Sequence, residues 1–174
     1  MTNQLIMGID PGSRFTGLGI IRKKGQEIQF VHCDTIRTPD ADVATKLQAI
    51  FDGVSHLMRE YQPNEVAIES IFMHKNAQSA LKLGQARGVA MVAAKLHLAE
   101  VFEYSARQIK QSVVGYGGAQ KEQVQHMIRQ ILNLAKRPQA DAADALAIAV
   151  CHANTNSRLV QLVNSHKVRR GRLR

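Results

Sequence analysis

The sequence predicts an α/β fold: a five-stranded mixed sheet, three antiparallel strands and then two more, with helices on both faces. Two observations carry this expectation. Three apolar runs separated by turn signals open the chain, and beyond them shorter apolar runs alternate with long segments whose apolar residues recur at the 3.6-residue period of a helix. With 174 residues, 45% of them hydrophobic, the chain can fill one core in one domain.

Leu5 to Ile9 is continuously apolar, the mark of a strand covered on both faces, and Pro11-Gly12-Ser13 turns the chain just after Asp10. Gly17 to Ile21 resumes an apolar strand, Lys24-Gly25-Gln26 turns it, and Glu27 to Ile36 completes an antiparallel meander. Between Val43 and Tyr61 the apolar side chains fall at 43, 47, 50, 51, 54, 57, 58 and 61, the stripe of an amphipathic helix that Pro63 ends. Val66-Ala67-Ile68 is a short strand with Glu69 at its carboxyl end. Asn76 reads as the N-cap of a long helix to about Leu98, on which Gly84 and Gly88 share a face; close packing inside the molecule is the ordinary use of such a face. Val101 to Ser105 gives the fifth strand. A short segment around Ile109, the loop Gly115-Tyr116-Gly117-Gly118 and a helix from about Gln120 to Leu134 follow. Pro138 opens a last helix expected to run through Ala153, so that residues 1–155 form the folded domain and 156–174 a basic, flexible tail.

Lys and Arg number 23 against 14 Asp and Glu, a net charge of +9, which favours an anionic partner, nucleic acid above all. The segment from Ala145 to Arg174 holds six basic residues and no acid. It reads either as a solvated terminus or as an arm on phosphates. Cys33 and Cys151 are too few for a disulfide framework, the seven histidines show no zinc spacing, and Cys151-His152 reads as structural. The start of the chain lacks the pattern of a signal peptide and no apolar run would span a membrane, so the expected location is the cytoplasm.

Four acids stand where chemistry can use them. Asp10 and Glu69 close two apolar strands, at the sheet edge where open α/β folds place ligands. Asp141 and Asp144, three apart, share a face in the first turns of the last helix. Singly, each has an ordinary use: Asp10 and Glu69 as turn residues, Asp141 and Asp144 as acids at a helix start. Together they would repel unless a cation neutralised them, and oxygen-only ligation selects Mg²⁺ or Mn²⁺ over zinc.

The sequence also resembles a known family. Gly8-Ile9-Asp10-Pro11-Gly12-Ser13 with Thr16-Gly17, then Ala67-Ile68-Glu69, then Lys82-Leu83-Gly84-Gln85-Ala86-Arg87-Gly88, then Gln139-Ala140-Asp141-Ala142-Ala143-Asp144-Ala145-Leu146 follow in order along nearly the whole chain. Together they resemble the RuvC family of bacterial Holliday-junction resolvases. The resemblance implies a ribonuclease H-like fold, a homodimer, and Mg²⁺-dependent nicking of two strands of a four-way DNA junction, with two ions per active site and RuvA and RuvB as branch-migration partners. It implies that Asp10, Glu69, Asp141 and Asp144 are the catalytic, metal-binding acids. Lys110 and Lys121 match basic residues near the scissile phosphate, and Phe72 an aromatic that stacks on a base near the crossover. Without the resemblance, Lys110 and Lys121 read as solvated lysines and Phe72 as a core residue. It further suggests that the Gly84/Gly88 region takes part in the dimer.

Two other classes compete. Asp10-x-Gly12 with Gly17 also resembles the first phosphate loop of actin-like ATPases and sugar kinases, but the chain has room for one such domain and lacks a second Asp-Gly-Gly loop. A non-catalytic junction-binding module would use the four acids structurally.

Overall fold

The structure, a computed structural model, describes residues 3–71 and 76–170, with side chains through residue 156. In chain order the elements are β1 (Asn3–Asp10), β2 (Phe15–Lys24), β3 (Glu27–Arg37), α1 (Val43–Tyr61), β4 (Glu65–Glu69), α2 (Ala77–Leu96), β5 (Glu100–Tyr104), α3 (Ala106–Val114), α4 (Lys121–Ile131) and α5 (Ala140–Arg170). The strands form one mixed sheet in the order β3-β2-β1-β4-β5. β1 and β2, and β2 and β3, pair antiparallel, whereas β1/β4 and β4/β5 are parallel.

Alternation along the strands divides the core between two faces. Met7, Ile9, Leu18, Ile20, Val66 and Ile68 pack with α1 and α2 on one side. Ile6, Ile21, Ala67 and Tyr104 pack with α3, α4 and α5 on the other. Local chemistry fixes the ends. Asp42 caps α1 by accepting from the Thr45 amide at 3.0 Å and the Thr45 hydroxyl at 2.6 Å. Asn76 caps α2, accepting from the Gln78 and Ser79 amides.

Two expectations change. The short segment around Ile109 is a nine-residue helix, α3, because Ser105 and Gln108 form a reciprocal capping box that satisfies its first amides. The last helix does not stop near Ala153 but continues to Arg170. Neither glycine nor proline occurs between Ala140 and Arg170 to break it, and the first such residue is Gly171.

The docking of α5 is what builds the functional end of the molecule. Gly8 on β1 and Gly17 and Gly19 on β2 leave the sheet bare beneath this helix. A Cβ on Gly8 would overlap the Ala145 carbonyl oxygen, one on Gly17 would overlap the Asp141 carbonyl, and one on Gly19 would stand 2.8 Å from the Leu146 amide nitrogen. The helix answers with small residues, Ala142, Ala145 and Ala149, all buried. Backbone thus lies almost on backbone, and the first turn of α5 is held over the carboxyl end of β1.

Candidate active site

Asp10 is the last residue of β1 and pairs with Gly17. Asp141 rides directly over Gly17. Ile9 pairs with Ile68 across the parallel β1/β4 ladder, so Asp10 and Glu69 leave the sheet side by side. Both belong to the strand positions that alternate toward α5, with Gly8 and Ala67 before them. Asp144, one turn beyond Asp141, completes the group. The turn after Asp10 is pinned by buried Thr16, whose hydroxyl donates to the Gly12 carbonyl at 3.0 Å and accepts from the Gly12 amide at 3.3 Å.

The electrostatics reflect this convergence. Burial, and then the charges of Asp144, Glu69 and Asp141, push the Asp10 carboxyl up to about 8 against the pull of Lys121. Glu69 is raised by burial and by Asp144, with Lys110 and Lys121 opposing. Asp144 is raised by burial, although Lys121 holds it back. Lys121 Nζ lies 2.6 Å from Asp144 Oδ2, and its own pKa is raised by that bond. Glu69, Lys110, Lys121 and Asp144 share the lining of a cavity of about 230 Å³.

The four acids are close enough to repel but not yet gathered: among the described residues, no three His, Cys, Asp or Glu side chains stand as a ready metal cage. Lys121 holds one of them, Asp144, in an ion pair. The donor set itself, carboxylate oxygens only, suits a hard divalent cation.

The four acids singled out in the sequence, and both lysines, thus stand at one end of the sheet, near enough for their charges to act on Asp10 or Glu69. Phe72 lies outside the described residues. Cys151 and His152 are buried in the body of the molecule, as a structural reading requires. The Gly84/Gly88 face is not used for packing inside the chain: a Cβ on either glycine would meet nothing within 4 Å. The reason is placement, since α2 turns the row Ala86, Ala90, Ala93 and Ala94 to the core and leaves the glycines outside. Arg87 is a site residue that pattern reading missed. Its Nε donates to the Glu69 carbonyl at 3.2 Å and its guanidinium pairs with Glu103, which ties α2 to the ends of β4 and β5. Only its place in the motif around Gly84 and Gly88 hinted at such a role.

Comparison with known proteins accords with this geometry. The family described as crossover junction endodeoxyribonuclease RuvC matches residues 6–152. Relatives of that description from Legionella pneumophila and Pseudoalteromonas atlantica are 56% and 57% identical over 171 residues, covering 98% of this chain and 98% and 99% of theirs. Among solved structures, Thermus thermophilus RuvC in complex with Holliday junction substrate superposes with a TM-score of 0.84 at 34% identity, covering 89% of this chain and 96% of that one. The yeast mitochondrial Holliday junction resolvase, 12% identical, shares the fold with a TM-score of 0.67, covering 93% of this chain and 84% of that one. With nearly its whole length aligned at such identity, this chain belongs to the RuvC family of crossover junction endodeoxyribonucleases.

Proposed function

We propose that the protein is a structure-selective endonuclease that resolves four-way DNA junctions by paired nicks in strands of like polarity, and that Asp10, Glu69, Asp141 and Asp144 carry the cut. The products would bear 5′-phosphate and 3′-hydroxyl ends. The observation that carries the reading is the Asp10 carboxyl, held among three other acids and pushed up to about 8 in a chain of net charge +9. A cation bound there would relieve the burial and repulsion that disfavour the ionised acid.

The donor chemistry fits Mg²⁺, with Mn²⁺ as a substitute and two ions per site. When bound, such ions activate a water for in-line attack at phosphorus and stabilise the leaving 3′-oxygen. The chain's own groups do the rest. Asp10, with acids to either side, takes the central position between Glu69 and the Asp141/Asp144 pair. Lys110 and Lys121 face the same cavity and neutralise charge on the phosphate under attack. Arg87 fixes the backbone from which Glu69 projects.

Paired nicks call for two copies of the chain, since two-fold symmetry in a dimer mirrors that of the junction. The open Gly84/Gly88 face supports such pairing, for it borders an apolar groove lined also by Leu47, Phe51, Val89 and Val92. RuvA and RuvB are the partners that would move the junction to the enzyme, in the cytoplasm where the DNA lies.

The test is incubation of the protein with a mobile four-way junction and with matching linear duplex, with and without Mg²⁺. Symmetric nicks in the junction alone, with Mg²⁺ alone, are expected. Junction binding without nicking under any divalent ion would instead favour the non-catalytic module.

A further inference from the structure

A second cleft lies apart from the carboxylate cavity. It occupies about 580 Å³ between the start of β2, the end of β3 and the start of α1, and is lined by Arg14, Phe15, Arg37, Thr38, Pro39, Asp40 and Lys46. Its floor is tied down: the Thr38 hydroxyl donates to the Ser13 carbonyl at 2.9 Å and its amide donates to the Arg14 carbonyl at 3.0 Å. Its cations are available. Arg14 and Arg37 are exposed and make no ion pair among the described residues. Lys46 meets Asp40 only at 3.9 Å. An adjoining hollow shares Arg14 and Lys46 and adds Lys82. The nearby acid Asp42 is committed to capping α1. Phe15, Cα partner of Arg37, leaves 45% of its surface exposed.

Position gives the cleft its meaning. Phe15 lies two residues before Gly17, the partner of Asp10, so the cleft begins about 7 Å from the level of the carboxylates. At ~3.4 Å of rise per nucleotide, that is about two nucleotides along a strand. Separate cations around a lone exposed aromatic suit a sugar-phosphate backbone better than a compact anion, which would call for donors converging on one point.

We propose that this cleft seats the DNA strand flanking the scissile bond, with Arg14, Arg37 and Lys46 on its phosphates and the Phe15 ring against a sugar or base. The assignment rests on the resolvase reading and adds to it the surface that fixes the path of the substrate away from the metal-binding acids.

Binding of a labelled four-way junction is measured by anisotropy over a salt series, in an Asp10→Asn background that keeps the DNA intact. Arg14→Gln/Arg37→Gln should weaken binding roughly 10- to 100-fold at about 0.1 M salt and reduce the slope of log K against log salt by about 2, since each phosphate contact contributes about 0.9. Arg14→Lys/Arg37→Lys should keep the slope. Lys24→Gln/Arg59→Gln, the same loss of charge at the far end of β2 and of α1, should bind as the parent does. Melting of each variant verifies folding. An unchanged slope in Arg14→Gln/Arg37→Gln, or an equal loss in Lys24→Gln/Arg59→Gln, overturns the assignment. If the wild-type chain fails to nick the junction, the resolvase reading fails independently of the cleft.

Discussion

Lys121 Nζ stands 2.6 Å from Asp144 Oδ2, so the carboxylate cluster already contains one cation supplied by the chain itself. A residue from the start of α4 thereby reaches a residue from the second turn of α5, at the point where Asp10 and Glu69 also feel its charge. The pair is half-exposed on the lysine side, which limits its worth to stability but not its value to a transition state that gathers negative charge.

Lys121→Gln should therefore separate the two quantities. Loss of the pair should cost below ~1 kcal/mol of stability. Junction cleavage should fall ~10²-fold or more, the usual effect of removing one preorganised charge stabiliser. Single-turnover cleavage beside a melting curve measures both; equal, small changes in each would assign the lysine to the surface.

Asp10 gives a pH dependence whose sign can be worked out. Its carboxyl is raised from 3.8 to about 8, so between these values the folded protein without metal holds a proton that the unfolded chain has released. Stability then falls as pH rises through that window, because the folded state binds more protons. Asp10→Asn should flatten this decline by removing the titrating group. In the wild type, Mg²⁺ should oppose it and release protons on binding, visible as a buffer-dependent heat in calorimetry. Asp10→Asn should also abolish cleavage while leaving junction binding intact, because the phosphate-contacting cations are untouched. A wild-type melting profile without decline toward pH 8 would contradict the burial of this acid.

The glycine row predicts a mutation that damages the site without touching an acid. Gly17→Ala places a Cβ on the Asp141 carbonyl, and neither partner can yield without moving α5 or β2. The change should cost about 3 kcal/mol and weaken the Mg²⁺-induced rise in melting temperature more than Thr35→Ala, a substitution on the Cα partner of Gly17 in β3. A normal Mg²⁺ response in Gly17→Ala would show that α5 can dock at a greater height and still deliver its acids.

Much of this was legible in the sequence because it depends on local pattern. Continuous apolar strands, the stripe from Val43 to Tyr61 and strand-end acids are written in neighbouring residues, and the five strands stand within two or three residues of expectation at each end. What escaped depends on partners distant in the chain. Gly8, Gly17 and Gly19 become a single bare surface only once β1 and β2 pair, and Arg87 finds Glu69 only once α2 lies on its side of the sheet. The Arg14/Arg37/Lys46 cleft collects side chains from three places in the chain that only the folded sheet and α1 bring together. The length of α5 was legible in principle from the lack of a breaker before Gly171, but the polar run from Asn154 to Ser157 reads like the end of a helix.

The last prediction concerns the middle of α5, where His152 is fully buried between Tyr104 and Glu65. The tyrosine hydroxyl lies 2.6 Å from Nδ1 and a Glu65 carboxylate oxygen lies 2.7 Å from Nε2. Burial lowers the histidine, against the pull of Glu65, and raises Tyr104 to about 12. A neutral imidazole therefore accepts from the tyrosine at Nδ1 and donates to the glutamate from Nε2. The sign here opposes that of Asp10. Below the ordinary value of 6.5 the unfolded chain takes up a proton that the folded histidine resists, so stability is lost as pH falls through that range. Where the two windows overlap below 6.5 the opposing slopes cancel, so together the two groups predict a metal-free melting profile that is nearly flat just below pH 6.5 and declines from there toward pH 8. His152→Leu should unmask the Asp10 slope, so that stability keeps rising as pH falls below 6.5, and should cost about 1–3 kcal/mol near pH 6.5, because it leaves the buried Tyr104 hydroxyl without its acceptor. His152→Gln, which can still donate to Glu65, should recover part of that loss. Thermal melts of the three proteins from pH 5 to 9 decide the matter: an unchanged profile below pH 6.5 in His152→Leu would show that this histidine does not set the acid-side behaviour.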